Sequence, residues 1–220
     1  MIPSLNEIEM MVWKAARGAG LSWGLAEEMG QAARWLADHG FDWAPSLAAA
    51  LEEAERLDGE LPPPVLSDGA WQPADAVAAT RAVLCGPLLS DLAGGLTETQ
   101  PVRLARVAHP LLMLPFAARS ARDLGLGLAL SIDGAAFSFS GDRAAGTALP
   151  AELKLAEEVM LALHGPFGTP PQGPIPGAAP RRAIPAQPLA RLEAWVHRTY
   201  VPASAQSRLA GAGAGLTDKD

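Results

Sequence analysis

Between Gly165 and Pro188 the chain carries eight prolines and four glycines in 24 residues. Proline lacks a backbone N–H and fixes φ, so neither a helix interior nor a central strand survives at that density. The core of this 220-residue chain must therefore come mainly from residues 1–164, with anything beyond the Pro-rich connection docking onto it. Enough apolar material is present: 49% of residues are apolar and 19% charged, far from the composition that leaves a chain disordered.

The first sixty residues read as helices. Ser4 and Glu7 form an S-x-x-E capping box, and Leu5, Ile8, Met11, Val12, Ala15, Ala16 and Ala19 follow at helical spacing until Gly18 and Gly20. Ser22 caps a second helix carrying Leu25, Met29, Ala32, Ala33 and Leu36, which stops at Gly40. The short connection predicts an antiparallel hairpin. A third helix, over 45–57, sets Leu47, Ala50, Leu51, Ala54 and Leu57 against a face of Glu52, Glu53, Glu55 and Arg56.

After Pro62-Pro63-Pro64 the signals mix. Ser67-Asp68-Gly69 suits a tight turn between Val65-Leu66 and Ala70-Trp71. Asp75 and the alanine-rich run 76–85 predict a fourth helix, ended by Gly86-Pro87. Residues 102–107 read as a strand, and Pro115 sits in the first turn of a helix that reaches Asp123 and stops at Gly125. Asp133-Gly134 between 127–132 and 135–140 is the clearest hairpin signal, because that pair accepts the left-handed backbone of a type I′ turn. Residues 150–163 fit both periods, with Leu153, Ala156, Val159, Met160 and Leu163 favouring a helix that runs into a short strand. A helix over 188–200 presents Leu189, Leu192, Trp195 and Val196.

The expected architecture is α+β. A helical N-terminal unit spans 1–60, and a body over 61–164 packs helices on a small, mainly antiparallel sheet. A Pro/Gly-rich loop over 165–188 leads to a C-terminal helix and Gly-rich tail over 189–220, all within one domain. Seventeen basic against twenty-four acidic side chains give a net charge of −7, which repels polyanions, so nucleic acid is not an expected partner. The N-terminus lacks the basic start and apolar run of a secretory signal, and the most apolar window, 107–118, is broken by His109, Pro110 and Pro115. The expectation is a cytoplasmic protein that does not engage a membrane. Fourteen of the seventeen basic residues are arginine, the habit of a GC-rich bacterial genome.

Ser4-Leu5-Asn6-Glu7-Ile8-Glu9, Lys14 to Gly20, Trp23 to Glu28 and the closing stretch from Val201-Pro202-Ala203-Ser204 to Asp220 resemble an uncharacterised bacterial family, a domain of unknown function of about this length. That resemblance implies a stand-alone protein and brings no catalytic residues with it. The first two helices also resemble the N-terminal helical hairpin of the malate/L-lactate dehydrogenase-type family, without that family's remaining domain.

The densest basic patch of this acidic chain is Arg103, Arg106 and His109, followed by Arg119 and Arg122; planar guanidinium forks suit a carboxylate or phosphate. The tail adds Ser204, Ser207, Arg208, Thr217 and Asp218 around Gly211, Gly213 and Gly215. Leu216 stands where a dinucleotide fingerprint needs glycine, so no cofactor is expected there. Cys85, in an alanine-rich run, reads as a small buried hydrophobe before it reads as a nucleophile. His39, His109, His164 and His197 show no metal-ligand spacing, and no metal is expected. Trp13, Trp23, Trp35 and Trp43 are expected in helix packing, an exposed pair marking instead a pocket or partner surface. The function expected is binding of a small anionic metabolite or of a protein partner. The alternative is an enzyme of small-carboxylate metabolism whose site is assembled from distant residues, with Arg103, Arg106 and His109 as first candidates.

Overall fold

Both oxygens of the capping box are in use: Ser4 Oγ accepts from the Glu7 N–H at 3.2 Å and Glu7 Oε2 accepts from the Ser4 N–H at 2.7 Å. Helix α1 (Leu5–Gly18) starts there and buries Ile8, Val12, Ala15 and Ala16. The structure, a computed structural model, describes residues 2–74, 78–97, 99–150, 153–163 and 183–200. Helix α2 (Trp23–Asp38) is capped by Ser22, whose hydroxyl accepts from the Leu25 N–H, and it returns antiparallel along α1. The two approach closely because small residues meet at the seam: a Cβ on Gly30 would sit 2.9 Å from the Glu9 carbonyl oxygen. Helix α3 (Ala44–Arg56) carries Pro45 in its first turn and buries Leu47, Ala50, Leu51 and Ala54.

The turn at Ser67-Asp68-Gly69 joins β1 (Val65–Ser67) to β2 (Ala70–Gln72). Strand β3 (Thr80–Arg81) leads directly into α4 (Ala82–Ala93), followed by β4 (Val102–Ala108) and a 3₁₀ turn over Pro110–Met113. Next come α5 (Leu114–Leu124), β5 (Gly127–Ile132), β6 (Ala135–Ser140), β7 (Arg143–Gly146) and β8 (Leu155–Leu163), then α6 (Ala186–Arg198). The sheet runs β1-β2-β4-β8-β5-β6-β7, with β3 alongside β4. β2 and β3 pair with β4 in parallel and every other pairing is antiparallel. The α+β reading and the mainly antiparallel sheet both hold.

Two expectations are corrected. Residues 155–163 form a strand, not the end of a helix, because β8 pairs along β4 on one side and β5 on the other. Two ladders in a central position outweigh the helical alternative that the same apolar residues permit. The fourth helix begins at Ala82 and runs through Gly86-Pro87 to Ala93. Pro87 removes one intrahelical bond. The turns beyond it nevertheless bury Leu89 and Ala93, and Gly86 faces α5 so closely that a Cβ would lie 2.3 Å from the Phe116 ring. That glycine is required by a helix crossing, not by a helix end.

Leu104, Val159, Leu161, Leu128, Leu130, Phe137 and Phe139 line the sheet face beneath the helices, in one continuous core with α1 to α5 and the inner side of α6. At the hairpin tip Asp133 has φ 45° and Gly134 φ 84°. The Asp133 carboxylate turns onto β8, accepting from the N–H groups of Glu157 at 3.2 Å and Glu158 at 2.9 Å.

Candidate functional site

A cleft of about 730 Å³ opens between the α1–α2 hairpin, α5 and the β6–β7 turn. Helical spacing builds two of its walls. On α2, Glu28, Gln31, Ala32, Trp35 and Asp38 recur at three and four residues, opposite the stripe that packs on α1; on α5, Pro115, Ala118, Arg119 and Arg122 do the same. Gly141, Asp142, Arg143 and Ala144 close the third side, and Glu9 contributes from α1.

Arg119 is the fixed point. Its Nη1 donates to Gln31 Oε1 at 3.0 Å, its Nη2 lies 2.6 Å from Glu28 Oε2, and its guanidinium stands 5.2 Å from the Phe116 ring centroid. The Glu28 contact is an ion pair that joins α2 to α5. Arg34 bridges back to α1 through Glu9 at 2.9 Å and through Asn6. Trp35 and His39 stack with centroids 3.8 Å apart and planes 19° apart. The His39 Nδ1–H donates to the Trp35 carbonyl at 2.9 Å, which in the neutral ring leaves Nε2 with its lone pair free. Among the described residues Arg122 pairs only with its exposed neighbour Asp123, and Arg143 has no ion-pair partner.

The basic patch expected from sequence is divided by the fold. Arg119 and Arg122 line the cleft. Arg103 lies on the sheet, paired with Glu158 at 3.1 Å. Arg106 interrupts β4 with φ 50°, and its carbonyl accepts from the Thr80 hydroxyl at 2.9 Å. His109 is left-handed as well, at φ 55° and 7% exposed, with Nε2 3.6 Å from Glu53 Oε1 on α3; Arg81 Nε approaches the other oxygen at 3.8 Å. The Glu53 carboxyl is held below the usual range, first by the His109 donor and then by the charges of His109, Arg81 and Arg56, against burial acting the other way. This cluster ties α3 to the body and does not line the cleft. Arg208, Ser204, Ser207, Gly211, Gly213, Thr217 and Asp218 fall outside the described residues.

Cys85 is fully buried and its thiol is pushed up to about 12, burial being the largest cause, so it is no thiolate at neutral pH. Among the described residues no three His, Cys, Asp or Glu side chains gather as a metal-ligand group, and no helix is long and apolar enough to cross a membrane. Trp23 is 64% exposed, 5.4 Å from the Trp13 ring, with the Arg17 guanidinium over its face.

Reading the sequence alone missed Glu28, Gln31, Arg34, Asp38 and Arg143, placed Trp35 in helix packing with a pocket as the alternative, and weighed His39 only as a metal ligand. A signal was present in α2: a polar face that holds a tryptophan and ends in a histidine is poorly explained by solvation alone.

Fold and cleft together define an α+β protein with a polar, arginine-bearing interhelical cleft. Residues 3–78 match the model of a family described as a protein of unknown function, DUF3726. The resemblance to a domain-of-unknown-function family thus holds over that segment, which contains α1, α2, α3 and the β1–β2 hairpin. No curated protein and no solved structure matches the chain. The α1–α2 wall of the cleft lies inside the matched segment, while α5 and the β6–β7 turn lie outside it.

Proposed function

We propose that this protein binds a small metabolite by its anionic group in the cleft between α2 and α5. The observation that carries the reading is Arg119: a half-buried guanidinium already held by Gln31 and Glu28 loses little side-chain freedom when an anion arrives. Arg122 and Arg143 line the same cleft and supply two further guanidiniums. The volume supports a metabolite more than a bare ion, since small-molecule sites commonly measure ~300 to 1,000 Å³. The arginines' positions on a helix and at the first residue of β7 support a preformed site.

The test is calorimetric titration with inorganic phosphate, citrate and succinate. Arg119→Gln should weaken the best of these about tenfold or more, the loss of a charge-assisted hydrogen bond to a half-buried donor. Arg103→Gln, on the sheet beside Glu158, should leave affinity unchanged. Equal losses in the two variants, or a loss only with Arg103→Gln, would move the site out of the cleft.

A further inference from the structure

The cleft is divided by charge. The α1–α2 wall presents three carboxylates, Glu9, Glu28 and Asp38, with one guanidinium, Arg34; α5 and the β6–β7 side together present three guanidiniums, Arg119, Arg122 and Arg143, with one carboxylate, Asp142. Among the described residues the one ion pair that bridges from α2 to α5 is Glu28–Arg119, beside the Arg119–Gln31 hydrogen bond. Arg34 is satisfied within its own wall by Glu9, and Arg122 by Asp123 on its own helix. Asp38 on one side, and Arg143 with its chain neighbour Asp142 on the other, remain with no ion-pair partner among the described residues.

A ligand carrying only negative charge gains from the arginine wall but displaces water from the carboxylates facing it, and that repulsion grows as the cleft dries. A ligand carrying only positive charge has the converse problem. We infer that the cleft takes a zwitterion, with an ammonium directed to the Asp38 and Glu28 wall, a carboxylate directed to Arg119 and Arg143, and a small apolar body between them. The apolar part of the lining fits such a body: Ala32, Trp35, Pro115, Phe116 and Ala118. The inference rests on the anion-binding reading, because the ligand's carboxylate occupies the same arginines, and it adds the second charge that the acidic wall requires. Amino-acid chemistry is the simplest class that meets both demands.

Matched ligands isolate the claim. Calorimetry with L-phenylalanine, 3-phenylpropionate and phenethylamine keeps one body and removes one charge at a time; 6-aminohexanoate, hexanoate and hexylamine repeat this at a longer charge separation. In at least one series the zwitterion should bind about tenfold tighter than either singly charged relative, the yield of one further charge-assisted contact. Asp38→Asn should erase its advantage over the carboxylate, and Arg143→Gln its advantage over the amine. Both sites are at the cleft surface, and unchanged far-UV circular dichroism checks that each variant is folded. If the carboxylates bind as tightly as the zwitterions, or if only phosphate and citrate bind, the zwitterion inference falls and anion binding stands. If none of the six ligands binds and phosphate and citrate do not either, both fall.

Discussion

Glu53 shows what a single side chain can hold in this molecule. It leaves α3 to meet His109 and Arg81, two residues that reach it from the body, and its carboxyl titrates below the ordinary 4.5. A depressed folded-state value means that the stabilisation is complete above the unfolded value and is lost as pH falls through the folded one. Glu53→Gln removes this dependence while keeping the shape. The gap in unfolding free energy between parent and variant, from urea titrations, should therefore be widest near neutral pH and should shrink as pH falls below about 4.5. Parallel curves from pH 7 to pH 3 would show that the contact does not titrate with folding. At this scale the sequence was legible where chemistry is local. Ser4 and Glu7 announced their reciprocal bonds, Asp133-Gly134 its turn, and Cys85 its burial. His109 was noticed, but Glu53 lies 56 positions away and looked like one of several glutamates on a solvated face. No spacing rule links such a pair.

Among the elements, two glycines test why the helices sit where they do. Gly18 ends α1 beneath α6, where an added Cβ would lie 2.0 Å from the Trp195 carbonyl oxygen; Gly24, in the first turn of α2, has nothing within 4 Å. Both replace a better helix former, so local propensity predicts that alanine stabilises at either position. The packing predicts opposite signs. Gly24→Ala should gain up to about 1 kcal/mol, and Gly18→Ala should lose about 1 to 3 kcal/mol as α6 is displaced. Chemical denaturation gives both values, and a stabilised Gly18→Ala would show that α6 does not seat against α1. The same competition explains which elements the sequence revealed. Amphipathic helices α1, α2, α3 and α5, and the β5–β6 hairpin, each carry their pattern within one segment. Strand β8 and helix α4 do not: one is decided by partners β4 and β5, the other by a crossing with α5 that overrides Gly86-Pro87. The cleft was half legible for a related reason. Arg119 and Arg122 belonged to a visible cluster, whereas α2's contribution became a site only once α5 stood opposite it.

For the molecule as a whole, the order β1-β2-β4-β8-β5-β6-β7 is the least predictable property, since it depends on where β8 inserts after a long excursion of the chain. Helix α6 poses a similar question at the other end: whether charge or apolar burial returns it to the body. Charge is conspicuous, because Arg191 meets Glu52 at 2.9 Å and Glu55 at 3.6 Å, and Arg198 meets Glu55 from the next turns. These arginines are about half exposed, however, and exposed ion pairs contribute only ~0 to 1 kcal/mol and weaken with salt. Leu192 and Trp195 are buried almost completely against the helical unit, and truncating a side chain of tryptophan's size in a core costs about 3 to 5 kcal/mol. Burial should win. Trp195→Ala should lower the urea midpoint far more than Arg191→Ala does, and raising salt to about 1 M, where the screening length is ~3 Å, should diminish only the effect of the arginine variant. Comparable losses in the two variants, both suppressed by salt, would instead make α6 an electrostatic clasp on an otherwise complete fold.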